Sequence, residues 1–598
     1  MRLQITKSAN AECFYIVKSI RKNGRNTNQV VEKLGNLEEV KAKAGDMDPY
    51  EWGRQYAEKL TNEELQESRN VLVPFSQSSL IEKGEQQRFN GGYLFLQKIY
   101  SELKLKDVCK AIKRRRNYDF DLNSILSRLI YCRIIQPQSK LGTYEYSQHL
   151  LEAPEFELHQ IYRALDVLAD ECDYIQERLY LNSKNVIVRN TDVLYYDCTN
   201  YFFEIEQEKG SRKYGASKEN RPLPIVEMGL IMDGNGIPLS FCIHDGNTNE
   251  QTTLKPLEER IISDFKLSNF IICTDAGLSS ANNKFFNSRH HRDFITATSL
   301  KTMSEERSSK FLKSTGWKMA GDNKPAEYDI GVIDADEELR SKYYDRTFYK
   351  EEWFIDTVEI FDEELNKKVK RDLSQRLIVT FSFKYKDYLR AVRNRRIERA
   401  NKLISQGKKA VNRRGKNDVR EFISEVNYTD EGVVAENTTY AINDEAVKNS
   451  EKFDGFYAVY TSLDAEKYPV SKINEINHGR WEIEESFRIM KSEFQARPVF
   501  LQKDNRIKAH FLTCYIALLV FRILENRLNY SHTYGEIIDC LSNMEFTRVK
   551  DSGFIPSYTR TDLTDALHDA FGFRTDYEIL SPASMKKIYS ASKNPEIL

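Results

Sequence analysis

The sequence predicts a multidomain α+β/α/β protein: a mixed-sheet core interrupted by a mostly β insertion, preceded by a small β unit and a helical region. Three observations carry this. At 598 residues the chain exceeds one hydrophobic core, given roughly 150 residues per domain. Its apolar pattern changes from helical spacing before about residue 190 to short strand-like runs after it. Those runs give way to a polar, irregular stretch near 302 and return near 453. Hydrophobic residues make up 40% and charged residues 30%, with 14 Pro and 26 Gly, the balance of an ordered chain rather than a disordered one.

Residues 1–45 contain β-like runs (Cys13 to Ser19, Asn28 to Leu34) around a turn-like Asn23-Gly24, which predicts a small β unit. Residues 46–190 predict helices, as in Leu122, Ile125, Leu126, Leu129 and Ile130, and again in Ile161, Leu165 and Leu168. Residues 191–301 form the first part of the core. Val193 to Asp197 is an apolar run ending in a carboxylate, and Ile225 to Met232 and Ile237 to His244 flank Asp233-Gly234-Asn235-Gly236, a hairpin signal. A helical stretch (Leu254 to Asp264), the buried-strand run Phe270 to Thr274 ending at Asp275, a further helix and Phe294 to Thr298 follow. This βββαβαβ order is that of an RNase H-like core, with its first and fourth strands adjacent. Residues 302–452 predict the inserted domain, mostly β with a basic helix; 453–530 complete the core, and 531–598 form a helical end.

The nine cysteines are scattered and odd in number, with no C-x-x-C pair, and predict reduced, mostly buried thiols. The first residues lack a signal-peptide layout, and the longest apolar run, Cys514 to Phe521, falls short of the about 20 residues of a membrane span. A cytoplasmic protein without membrane contact is expected. The net charge of −1 leaves only local charge segregation to attract nucleic acid. From Lys384 to Arg420 fourteen Lys or Arg face three acids, and among them are Arg393, Arg395, Arg396, Lys408, Lys409, Arg413 and Arg414. A second cluster is Lys113-Arg114-Arg115-Arg116. Basic runs are as readily solvated helix faces as DNA contacts.

Asp197 and Asp275 each end a run expected to be a central strand, and neighbouring strands lie about 4.8 Å apart, so the two ends can share metal ions through carboxylate oxygens. Taken singly, an Asp at a strand end is more often a turn or cap residue; the strand order raises the metal reading. A third acid follows from helix arithmetic over Gly479 to Gln495. At about 100° per residue, Arg480, Glu484 and Lys491 fall near 0°, 40° and 20°, beside an apolar face of Ile483, Phe487, Met490 and Phe494. Glu482, Glu485 and Glu493 point elsewhere. A surface salt-bridge network is the plain alternative.

The segment GRWEIEESFRIMK resembles the signature of bacterial insertion-sequence DDE transposases of the family 4 superfamily: Tyr, two residues, Arg, three residues, Glu, six residues, Lys. Arg480, Glu484 and Lys491 match it, and the tyrosine position is Asn477. The resemblance extends to YYDCTNYFFE around Asp197, the loop Tyr214-Gly215-Ala216-Ser217-Lys218, the segments GIPLSF and GNTNEQTTL, CTDAGLSS around Asp275, and RIKAHFLTCYIALLVFRILE at 506–525. It covers about residues 90 to 530. The gap from Asp275 to Glu484 (484 − 275 = 209) suits the β domain that interrupts the core in that superfamily.

The resemblance implies a DNA transposase in which Asp197, Asp275 and Glu484 hold two Mg²⁺ ions, with Mn²⁺ able to substitute, to free a 3′-hydroxyl at the element end and join it to target DNA. Arg480 and Lys491 would position phosphates; Lys113, Arg114 and Arg115 and the 384–420 basic residues would hold backbone further out. Double-stranded DNA, as terminal inverted repeats and as target, and a homodimer on paired ends are the expected partners, with the protein bound to the bacterial nucleoid when on DNA. The competing readings are an RNase H-like endonuclease without strand transfer, a catalytically silent transposase-derived DNA-binding protein, and, more weakly, a His-based hydrolase, since His290-His291, His478 and His510 show no ligand spacing.

Overall fold

Alternating residues at the start of the chain build three strands, β1 (Arg2–Ser8), β2 (Ala11–Lys22) and β3 (Arg25–Asn36), paired antiparallel in that order. Asn36 then caps α1 (Leu37–Ala44): its side chain accepts from the Glu39 N–H at 2.9 Å while Glu39 accepts from the Asn36 N–H at 3.0 Å. With α2 (Pro49–Glu67) these strands enclose a small core of Phe14, Ile16, Leu34, Val40 and Ala57. The sequence patterns left out β1 and α1. The computed structural model describes all residues except 9–10, 23–24, 68–72, 74, 323–325, 363–364, 407–418, 429–436, 551 and 597–598, so the expected Asn23-Gly24 turn lies outside the described residues. Two units result: Met1–Gln87 with Thr547–Pro556 and Asp576–Met585, and Arg88–Phe546 with Ser557–Thr575 and Lys586–Leu598. The second, larger unit carries the nine-stranded sheet.

It opens with β4 (Arg88–Asn90) and six helices: α3 (Tyr93–Glu102), α4 (Leu105–Arg115), α5 (Leu122–Ile135), α6 (Lys140–Ser147), α7 (Leu158–Asp170) and α8 (Cys172–Ser183). The apolar positions read at helical spacing in α5 and α7 are all buried. There follow β5 (Val193–Phe202), β6 (Ile225–Asp233), β7 (Pro238–Asp245), α9 (Leu254–Asp264), β8 (Phe270–Thr274), α10 (Ala281–Phe286) and β9 (Arg292–Thr298). The β6–β7 turn is closed by the Gly236 N–H donating to the Asp233 carbonyl at 2.9 Å, and Gly236 has φ +73°, which glycine adopts without strain.

Next come α11 (Glu305–Leu312), β10 (Lys318–Met319), α12 (Ile330–Ala335), α13 (Glu337–Lys342), the long hairpin β11 (Phe348–Asp362) and β12 (Lys367–Phe381), α14 (Phe383–Ser405), β13 (Ile423–Tyr428), β14 (Asn437–Ile442) and α15 (Asp444–Glu451). The chain then enters β15 (Phe456–Thr461), α16 (Val470–His478), α17 (Trp481–Lys491) and α18 (Asp504–Arg527). Among the described residues β5 to β12 and β15 make a nine-stranded mixed sheet ordered β10-β11-β12-β15-β9-β8-β5-β6-β7, and β13 pairs with β14 in a two-stranded sheet. β5 is antiparallel to β6 and parallel to β8, and β8 is parallel to β9. This mixed α/β architecture is consistent with an RNase H-like core.

The expectation of a mostly β segment between 302 and 452 needs qualification. Among the described residues it holds five helices, and its long hairpin is hydrogen-bonded to β15 as a continuation of the central sheet, not to a sheet of its own. Strand alternation divides the core between the two sheet faces: Leu194, Tyr196 and Cys198 face one cluster, Val193 and Tyr195 the other. α18 is longer than the eight-residue apolar run suggested. By length and composition it could cross a membrane, but 94% of its apolar window is buried within the protein, against α3, α5 and α7. All nine cysteines are free, six of them buried.

Candidate active site

The parallel ladder of β5 and β8 aligns Val193 with Ile271, Leu194 with Ile272 and Tyr195 with Cys273. Two further steps along each chain bring Asp197 and Asp275 to one level at the end of that ladder. Asp197 lies on the odd-numbered face of β5, where Tyr195 donates its hydroxyl to the Ile476 carbonyl of α16 at 2.9 Å. Lys491 of α17 donates to Thr199 Oγ1 on the same face at 2.6 Å. The helices after β15 therefore cover the face that carries Asp197.

Each aspartate has one oxygen tied to a backbone donor. Asp197 Oδ1 accepts from the Cys198 N–H at 2.7 Å. Asp275 caps a short 3-10 turn (Ala276–Leu278), with Oδ1 accepting from the Leu278 N–H at 3.1 Å. Thr296 Oγ1 holds the Asp275 carbonyl at 3.1 Å. Among the described residues the Oδ2 atoms have no hydrogen-bond partner. Burial pushes the Asp197 carboxyl up to about 6, and the nearby Asp275 adds to this against the opposing charges of Lys218 and Arg480. Two carboxylates at one level, with a cost to ionising one of them, are a ligand set that a hard divalent cation would relieve.

Arg480 precedes α17 and stands close enough to Asp197 to favour its ionised form. Its Nη2 also lies 3.6 Å from Glu484 Oε1, and its side chain is 18% exposed. Glu484 itself is 65% exposed and faces a cleft of about 670 Å³ with Tyr385, Tyr457, Asn477 and Trp481. The structure thus brings together Asp197, Asp275 and Arg480, with Lys491 beside them. It places Glu484 on the same helix face, turned outward, and among the described residues no hydrogen bond or ion pair joins it to either aspartate. Lys491 is drawn down to about 8 by burial and by Lys218, with Asp197 opposing. Asn477, at the signature's tyrosine position, donates to the Tyr457 hydroxyl at 3.1 Å, so a phenol from β15 occupies this cleft.

Lys218, at the end of the loop that starts at Tyr214, is a site residue that no charge pattern or spacing in the sequence marks. Burial alone would lower it, but Asp197 and Glu250 more than offset this. Its Nζ donates to the Cys198 carbonyl at 2.5 Å and pairs with Glu250 at 3.1 Å. The loop reaches β5 because Gly215 passes so close to Gly246 that a Cβ would lie 1.8 Å from the Gly246 carbonyl oxygen. Glu227, opposite Asn200 on β6, is buried and pushed up to about 7 by desolvation and by Glu250.

The outer basic residues divide. Lys113 and Arg114 are exposed on α4. Arg115 is held by Glu171 at 2.6 Å and lies 4.0 Å over the Tyr174 ring. Arg393 is corrected as a DNA contact: it is 5% exposed, and both Asp454 oxygens lie 2.6 Å from its Nη1. Arg396 pairs with Glu421 at 2.7 Å, while Arg395 is exposed, with its Nε donating to the Ala391 carbonyl at 3.3 Å. Lys408, Lys409, Arg413 and Arg414 lie outside the described residues.

Residues 198–520 match the family described as "Transposase DDE domain". The span starts one residue after Asp197 and contains Lys218, Asp275, Arg480, Glu484 and Lys491. No curated protein matches the sequence. A solved structure described as the cryo-EM structure of a piggyBac transposase synaptic complex with hairpin DNA aligns over 83% of this chain and 90% of that one, at 9% identity and a TM-score of 0.33, a likeness too slight to inform the site. The family match covers 323 of 598 residues (520 − 198 + 1), more than half of the chain, which belongs to the transposase DDE-domain family and is a DDE transposase.

Proposed function

We propose that this transposase cuts DNA at the ends of a mobile element and joins the freed 3′ ends to a second DNA, with Asp197, Asp275 and Glu484 as ligands for two Mg²⁺ ions. DDE transposases depend on divalent metal ions. The observation that carries the proposal is the register of β5 and β8, which sets two carboxylates at one level with an oxygen of each uncommitted. The donor set is all hard oxygen, the kind that suits Mg²⁺. When bound, the ions supply Lewis-acid activation of the attacking oxygen and stabilisation of the leaving one.

The chain's own residues do the rest. Arg480, Lys491 and Lys218 place three cations around Asp197, which suits gripping the phosphates on either side of a scissile bond. Glu484, whose one ion pair among the described residues is 3.6 Å long, has the rotamer freedom to turn toward the aspartates. Tyr457, anchored by Asn477, supplies the phenol that the family 4 signature carries at position 477. We further read residues 302–452 as an insertion in the core, the helices of 46–190 as the reader of terminal inverted repeats, and a homodimer in the bacterial cytoplasm as the working form. Lys113, Arg114 and Arg395 are the outer backbone contacts that remain available.

The test is strand cleavage and transfer on a labelled duplex carrying the element's own end, with Mg²⁺, comparing wild type with Glu484→Gln. Joined product from wild type alone is expected, with the variant down at least 100-fold. Cleavage without joining would favour a nuclease, and end binding without any product would favour a silent DNA-binding protein.

A further inference from the structure

A second polar cavity, of about 440 Å³, lies in the helical region, at the start of α4 and beside α5. Its lining is cationic. Lys104, Lys106, Lys110, Arg128 and Lys593 contribute five positive charges against Asp107 and Asp121. Both acids are already engaged: Asp107 pairs with Lys110 at 3.1 Å, and Asp121 caps α5 by accepting from the Ser124 N–H at 3.1 Å. Lys593 rests on Glu152 at 2.5 Å. Among the described residues neither Lys104 nor Lys106 has a carboxylate partner.

Arg128 lines the cavity with a largely buried guanidinium. Arg128 is 9% exposed. Its Nη1 donates to Ser127 Oγ at 3.1 Å and its Nη2 to the Glu152 carbonyl at 2.6 Å, whereas its Nε is buried with no partner. A buried charged donor left unsatisfied is rare and costly, and with Lys104 and Lys106 unpaired beside Arg128 the lining carries a surplus of positive charge that an anion in the cavity would offset. Lys104 stands at the rim in the left-handed backbone region (φ 53°, ψ 32°), an uncommon conformation for a residue with a side chain.

A cationic row leads to this cavity. α4 buries Leu105, Val108, Cys109 and Ile112, so Lys106, Lys110 and Lys113, spaced i, i+4 and i+7, share its exposed face with Arg114 next to them. Seven residues of helix span about 10 Å, roughly three base-pair steps of 3.4 Å along one DNA strand.

We propose that the Arg128 cavity and the lysine row of α4 form a phosphate-ester site outside the catalytic cleft, taking a backbone phosphate of bound DNA. The phosphate of a free mononucleotide offers the same chemistry. The proposal rests on the DNA-binding reading of the helical region but not on metal catalysis, because retention on DNA is measured without metal. Duplex affinity is followed by fluorescence anisotropy over a salt series in EDTA, for the full-length wild type and for the exposed-site variant Lys104→Gln/Lys106→Gln. In parallel, AMP is tested for its effect on melting temperature. An affinity loss of about tenfold near 0.1 M salt, with the log–log salt slope reduced by about 2, places DNA backbone at the site. A melting shift with AMP that the variant loses, at unchanged DNA slope, keeps the phosphate site but assigns it to a mononucleotide. Unchanged DNA binding together with no AMP effect in either protein overturns the proposal. Arg128→Lys, which keeps the charge but not the fork of donors, separates loss of the site from loss of the fold: it is expected to weaken binding with a melting temperature close to wild type.

Discussion

Asp197 occupies a position that costs the metal-free fold stability. Burial and the neighbouring Asp275 hold its carboxyl up at about 6, above its unfolded value, so its stabilising contribution is complete below the unfolded pKa and is lost as pH rises through about 6. Asp197→Asn removes that loss. In EDTA the variant should melt with wild type near pH 4 and above it at pH 8, by an amount on the order of 2 kcal/mol. Mg²⁺ should raise the melting temperature of wild type and leave the variant unmoved. Equal melting of the two proteins at pH 8, or equal stabilisation by Mg²⁺, would remove Asp197 from the ligand set. The residue types of this site were legible because carboxylates ending apolar runs stand out in sequence. Lys218 was not: only the loop turn at Gly215 carries it to Asp197, and no periodicity encodes that approach. Nor could spacing reveal that Tyr457 and Asn477 meet, since they lie on different elements.

Elements were legible where their signal is local. The runs at 193, 225, 237, 270 and 294 all became strands, because alternation and the Asp233–Gly236 turn act within a few residues. Pairing partners were less so: β12 joins β15 across 75 residues of sequence (456 − 381), and nothing local distinguishes that from a separate sheet. The same holds for the packing of α9 against α10, which positions the turn carrying Asp275. Asn283, in α10, donates to the Leu278 carbonyl at 3.0 Å. Behind it, Asn287 donates to both oxygens of the fully buried Glu258 of α9, at 2.9 and 3.1 Å. Burial pushes Glu258 up to about 8, with Asn287 and Arg292 opposing. Its stabilising contribution is therefore full below its unfolded value and is lost as pH rises through about 8. Glu258→Gln, which still accepts from Asn287, should melt with wild type near pH 4.5 and above it at pH 9, by a few kcal/mol at most. A variant that melts below wild type at pH 9 would show that the buried charge is compensated in the fold.

At the scale of the whole molecule, a net charge of −1 means that attraction to DNA depends on where charges of one sign are left over after folding. The sequence count of fourteen bases against three acids between 384 and 420 overstates that surplus, because packing brings in acids from distant segments. Lys384 meets Asp345, Lys386 meets Asp334, Arg393 meets Asp454 and Arg396 meets Glu421. Exposed members of such pairs keep most of their reach in water, but Arg393 and Asp454 are 5% and 6% exposed, and their charges are closed to DNA. Two neighbouring arginines should therefore behave oppositely. Arg393→Met leaves Asp454 buried and uncompensated, at a cost of about 3–5 kcal/mol; it should lower the melting temperature while the folded fraction binds DNA with an unchanged salt slope. Arg395→Met should leave melting unchanged and, as the exposed member, reduce the salt slope by about 1. If instead Arg393→Met melts like wild type and loses slope, the Asp454 pair opens on DNA, and the charge count along the chain is the better guide to the surface that binds.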